Sequence, residues 1–81
     1  MVHEVVLREG FTDGGTVEEW LKSEGDRVEE GETLVRVESQ KATVDVTAPI
    51  SGRLTRICLR EGEAFEEGSV IACIEDGQGI A

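Results

Sequence analysis

The stretch Glu24-Gly25-Asp26-Arg27-Val28-Glu29-Glu30-Gly31 returns 37 residues later as Glu61-Gly62-Glu63-Ala64-Phe65-Glu66-Glu67-Gly68. Outward from it, Gly15-Thr16-Val17 falls on Gly52-Arg53-Leu54, and Leu34-Val35-Arg36-Val37-Glu38 falls on Ile71-Ala72-Cys73-Ile74-Glu75. A register held without a gap over about 25 positions marks two copies of one supersecondary unit, and one copy alone is too small to close a core. Each copy breaks short apolar runs with Glu-Gly-Asp or Glu-Gly-Glu and then Glu-Glu-Gly, which supply glycine where a turn needs positive φ. That spacing belongs to an all-β barrel or sandwich.

Strands are expected at about residues 2–7, 16–22, 34–38, 42–46, 53–59 and 71–75, with shorter pieces at Arg27-Val28 and Ala64-Phe65. Residues 16–23 also fit a helical period through Val17, Trp20, Leu21 and Glu24. The paired copy decides for strand, because Leu54-Thr55-Arg56-Ile57-Cys58-Leu59 is richer in β-branched residues and must share the fold. Trp20, Phe65 and the Val, Leu and Ile positions are expected to fill the core between two sheets. Residues 1–76 form one domain in this reading, and Gly77-Gln78-Gly79-Ile80-Ala81 is a flexible tail or the start of a linker.

The 81 residues suffice for one small domain with a modest core. Eighteen acidic against eight basic residues give a net charge of -10, which repels phosphate backbones and anionic membrane surfaces and favours protein partners with basic docking surfaces. No apolar run reaches bilayer-spanning length, and Met1-Val2-His3-Glu4 lacks the features of a signal peptide. Cys58 and Cys73 have no CxxC spacing and read as reduced structural cysteines. His3, the one histidine, reads as a surface or edge-strand residue, so no catalytic or metal-ligating set is assigned. Glu38, Asp45, Glu29-Glu30 and Glu66-Glu67 read as solvated charge, while Gly10, Gly14 and Gly15 match no phosphate-loop spacing and read as turn residues.

Between the two β-branched runs of the first copy stands Val37-Glu38-Ser39-Gln40-Lys41-Ala42-Thr43-Val44-Asp45-Val46, which holds one of only two lysines in the chain. On that segment alone, a lysine at a hairpin tip is a solubility device that discourages edge-to-edge pairing. The 37-residue relation carries position 41 to position 78 one way and to position 4 the other. The Lys41 tip therefore corresponds to the place where the chain ends meet, and it is expected at the opposite pole.

The lysine turn, together with Gly15-Thr16-Val17-Glu18-Glu19-Trp20, Glu24-Gly25-Asp26-Arg27-Val28, Glu30-Gly31 and Ala48-Pro49-Ile50-Ser51-Gly52, resembles the biotinyl/lipoyl attachment domain family over almost the whole chain. The resemblance implies a flattened β-barrel, a barrel-sandwich hybrid of two four-stranded antiparallel sheets with an internal pseudo-twofold repeat. It also implies that Lys41 carries the cofactor through an amide bond, with Glu38, Ser39, Gln40 and Ala42 as the flank that is recognised. Biotin carriers of the family show methionine on both sides of the lysine and lipoyl domains show Asp-Lys-Ala. Gln40-Lys41-Ala42 therefore points to lipoate, with biotin as the alternative, and Gln40 departs from both patterns. Glu-Ser-x-Lys-Ala also looks like the lysine site of the glycine-cleavage carrier protein, a considerably longer family.

By the resemblance, the chain is a non-catalytic lipoyl carrier domain that presents a swinging arm in a 2-oxo acid dehydrogenase complex. Its implied partners are a lipoate ligase or lipoyl transferase, the thiamine-dependent decarboxylase (E1), the acyltransferase (E2) and dihydrolipoyl dehydrogenase (E3), with no nucleic acid and no membrane. The implied compartment is the bacterial cytoplasm or the mitochondrial matrix. The rival readings are a biotin carrier domain of a carboxylase and an unmodified barrel-sandwich interaction module.

Overall fold

The computed structural model describes residues 1–7 and 13–76. The expectations for Gly10 and for the tail at residues 77–81 lie outside the described residues. Eight strands follow one another: β1 (Val2–Val6), β2 (Gly15–Trp20), β3 (Arg27–Val28), β4 (Thr33–Ser39), β5 (Thr43–Thr47), β6 (Gly52–Ile57), β7 (Ala64–Phe65) and β8 (Val70–Glu75). They form two four-stranded sheets in the orders β1-β8-β6-β3 and β5-β4-β2-β7, and every pairing is antiparallel. The chain crosses from one sheet to the other at every connection except the β4–β5 hairpin. This is how two small units with one apolar face each come to share one core.

That core contains Val17, Val28, Leu34, Val35, Val37, Leu54, Ile71 and Ile74, each almost completely shielded from solvent, with Phe65 buried beside them. Burying a Leu or Ile side chain stabilises by about 1.5–3 kcal/mol, so this shared interior is the main favourable term for so short a chain. Trp20 was expected inside, but it lies half-buried at the edge of the core. Its indole N–H donates to the Leu59 carbonyl at 2.7 Å, a partner that full burial among aliphatic side chains would not offer. Lys22, expected in a strand or at its edge, lies beyond the end of β2 and pairs with Glu32 at 2.6 Å. His3 does lie in an edge strand, β1.

The repeat is written into the hydrogen bonds. Gly25 N donates to Leu54 O at 2.6 Å as Gly62 N donates to Val17 O at 2.8 Å, and Leu21 N to Leu34 O repeats as Cys58 N to Ile71 O. The four turn glycines Gly25, Gly31, Gly62 and Gly68 all have positive φ, between 88° and 95°. Gly15, read as a turn residue, instead begins β2. A Cβ there would collide with the Glu38 carbonyl oxygen, as one at Gly52 would with that of Glu75, so the pair is glycine because two strands approach closely.

One part of the sequence register needs correction. Gly31 N to Ala48 O and Ala48 N to Glu32 O repeat as Gly68 N to Leu7 O and Leu7 N to Ser69 O, so β5 corresponds to β1 at a spacing of 41 residues and not 37. The connection from Leu7 to Gly15 is longer than that from Ala48 to Gly52, and a gapless comparison has no way to absorb the difference. Position 41 therefore maps to the point just before Met1 and not to Glu4. The closing bond of the lysine hairpin, Ser39 N to Ala42 O at 2.9 Å, has as its counterpart Asp76 N to Met1 O at 3.1 Å.

Candidate functional site: the Lys41 hairpin tip

β4 and β5 pair from Thr33 with Thr47 up to Glu38 with Thr43, leaving Ser39-Gln40-Lys41-Ala42 as the turn. Ser39, the last residue of β4, faces Gly15 of β2, and Gly15 faces Phe65 of β7 on its other side. The turn after Phe65 bonds through Gly68 and Ser69 to Leu7, beyond the end of β1 that lies away from Met1. Met1 and Asp76 join at the other end of β1 and β8. Lys41 therefore lies at the pole opposite Met1 and Asp76, as the repeat leads one to expect.

The five residues singled out from sequence, Glu38 to Ala42, are consecutive and lie at this pole. Gln40, Lys41 and Ala42 are exposed, Glu38 is exposed on β4, and Ser39 is half-buried. Among the described residues the Lys41 ammonium enters no ion pair, whereas the Lys22 ammonium is held by Glu32, which raises its pKa and lowers that of Glu32. The two lysines thus differ in chemical availability. Acylating Lys41 breaks no ion pair, while acylating Lys22 would leave the Glu32 carboxylate without its partner. An accessible amine on a fixed turn, free of a carboxylate that would compete for it, suits a carboxylic-acid cofactor in amide linkage.

Below the tip, on the outer face of β2, β4 and β5, Arg36 bridges Asp45 at 3.1 Å and Glu19 at 3.6 Å. Asp45 is therefore an exposed ion-paired residue and not an isolated solvated charge. Sequence reading missed the part played by Gly15 and Phe65 at this pole, and the same pole carries the exposed carboxylates Asp13, Glu66 and Glu67. The signal lay in the repeat: Gly15 is the counterpart of Gly52, and both sit against the end of a central strand. Cys58 and Cys73 are free thiols. Partial desolvation and the neighbouring Cys73 raise the pKa of the Cys58 thiol and keep it protonated, so it is a poor nucleophile.

Residues 8–74 match the model of the biotin/lipoyl family described as "Biotin-requiring enzyme". The chain is 42% identical over 65 residues to the dihydrolipoyllysine-residue acetyltransferase component of the pyruvate dehydrogenase complex of Acholeplasma laidlawii, covering 80% of this chain and 12% of that protein. It therefore spans about an eighth of that relative's length. The lipoyl domain of the 2-oxoglutarate dehydrogenase complex from Azotobacter vinelandii is structurally similar, with a TM-score of 0.68 and 28% identity over 85% of this chain and 86% of that domain. Kluyveromyces lactis urea carboxylase matches with a TM-score of 0.81 over 93% of this chain and 6% of the carboxylase, at 24% identity, and so shares the fold.

Proposed function

We propose, for a chain that belongs to the biotin/lipoyl attachment family, that it carries lipoate on Lys41 as the acyl-carrier domain of a 2-oxo acid dehydrogenase complex. The observation that carries this reading is the isolation of Lys41: an exposed amine on a closed turn, unpaired among the described residues and at the pole away from Met1 and Asp76. The relatives supply the choice of complex. Gln40 and Ala42 in place of flanking methionines favour lipoate over biotin.

When bound, lipoate supplies a dithiolane that takes up an acyl group and hands it on. The protein's own part is presentation. The paired strands β4 and β5 hold the Lys41 backbone at a fixed height above the barrel, and Met1 and Asp76 lie at the opposite pole, so that tethers attached there would leave the arm unobstructed and raise its effective concentration at each partner active site. The acidic surface speeds encounters with basic partner surfaces without holding them. The domain is a carrier without catalytic groups of its own. Its partners in this reading are a lipoate ligase or lipoyl transferase, E1, E2 and E3, and its compartment is the bacterial cytoplasm or the mitochondrial matrix.

Intact-mass analysis and peptide mapping after incubation with lipoate ligase, and in parallel with biotin ligase, test the proposal. One lipoyl increment on Lys41, none on Lys22 and none in Lys41→Arg is the expected result. A biotin increment alone would make the domain a biotin carrier. No increment where a known carrier is modified would make it an unmodified interaction module.

A further inference from the structure

We infer that Ser39 is a positioning residue for the acylation of Lys41, because its hydroxyl closes the turn that aims the lysine; the inference rests on the reading of Lys41 given above. Two-residue hairpin loops ordinarily close through turns with positive φ at the first central residue, which is why they favour glycine and asparagine there. Here the central residues are Gln40 and Lys41, and no described residue other than glycine has positive φ. A turn of negative φ throughout splays the strands instead of following their twist, so the two backbone bonds that normally close the loop do not both form. One is present: Ser39 N donates to Ala42 O at 2.9 Å.

The Ser39 side chain takes over the other role. Ala42 N donates to Ser39 Oγ at 3.3 Å, and the Oγ hydroxyl donates in turn to Ala42 O at 2.9 Å. Three hydrogen bonds thus join residues 39 and 42, two of them through one hydroxyl, and the two residues between them are the exposed Gln40 and Lys41. At the opposite pole the equivalent backbone bond, Asp76 N to Met1 O, joins two separate strands and encloses no loop. The hydroxyl clamp therefore belongs to the lysine end. A ligase that finds its lysine by position needs such a clamp, since misplacement of a reacting group by about 1 Å can cost two orders of magnitude in rate.

The test compares wild type, Ser39→Ala and Ser39→Thr in two measurements: amide hydrogen exchange of Ala42 in the unmodified domain, and kcat and KM for lipoylation by lipoate ligase. Ser39→Ala is expected to speed Ala42 exchange and to lower kcat/KM about tenfold, with the melting temperature little changed. Ser39→Thr, which keeps the hydroxyl, is expected to restore both. A purely structural role would move the melting temperature and leave the kinetics of the folded domain alone. An alanine variant lipoylated at the wild-type rate, or a threonine variant that does not recover, overturns the assignment of Ser39. A wild-type chain that takes up no lipoate overturns the reading of Lys41, and with it any positioning role for Ser39. The Ala42 exchange data still show in that case whether the hydroxyl closes the turn.

Discussion

The backbone amide of Trp20 donates to the carboxylate of Glu61 at 2.9 Å, across 41 residues of sequence. The same bond recurs between Ile57 N and Glu24 Oε2 at 2.8 Å. Trp20 and Ile57 end β2 and β6, and each amide is taken by a carboxylate from the other repeat. The two units therefore cap each other, which no unit could do alone.

This exchange predicts an acid-sensitive contribution to stability. The hydrogen bond from the Trp20 amide is the main influence holding the Glu61 carboxyl below its ordinary pKa of 4.5. A carboxylate whose folded pKa is depressed stabilises the fold above its unfolded pKa, and that contribution is lost as pH falls through the folded value. Melting temperatures measured from neutral pH to about pH 3 should fall less steeply below 4.5 in Glu61→Gln than in wild type. Parallel curves would show that the bond contributes no titratable stability.

Gly25 and Gly62 have φ of 95° and 88°, and a Cβ at either would meet nothing within 4 Å. The cost of a side chain there is backbone strain alone. Gly25→Val and Gly62→Val should each lose about 1 kcal/mol or more, by similar amounts, in denaturant unfolding. A large difference between them would contradict the twofold equivalence.

Trp20→Phe keeps most of the apolar contact at the core edge but removes the donor to Leu59 O. Leaving that carbonyl partly desolvated without its partner should cost about 1–2 kcal/mol in thermal or chemical unfolding. A variant as stable as wild type would mean that water replaces the indole.

Gln40 is exposed on the turn beside Lys41 and lacks the charge that the lipoyl pattern puts there. Gln40→Asp should leave the extent of lipoylation unchanged, since the bonds between Ser39 and Ala42 that hold the Lys41 turn do not involve the side chain at position 40. It should raise kcat/KM for reductive acylation by a conventional 2-oxo acid decarboxylase about tenfold, equivalent to about 1.4 kcal/mol of recovered charge-assisted contact. A value that stays level or falls would point to a partner that reads glutamine.

Much of this molecule is legible in its sequence, because the determinants are local and doubled. The Glu-Gly-Asp and Glu-Glu-Gly turns and the alternating runs mark where the strands lie along the chain and place the lysine in a turn between two of them. Where residues 16–23 alone left helix and strand in competition, the second copy resolved it, and β2 is a strand. The strand limits were less exact: β2 stops at Trp20, short of Lys22, because the chain there leaves one sheet for the other.

What only the tertiary structure decided are relations between residues distant in sequence. Sequence shows Gly15 and Gly52 as punctuation, but the approach of Glu38 and Glu75 to their Cα atoms is what requires glycine. It shows two lysines of equal chemistry, and the Lys22–Glu32 ion pair makes them unequal. It shows a regular 37-residue register, yet the hydrogen bonds of Leu7 and Ala48 place β1 and β5 at 41. The physical reason is common to all three. Turn propensity and apolar alternation act over a few neighbouring residues and can be read from them, whereas close approach, ion pairing and ladder register arise only when the two sheets meet around a shared core.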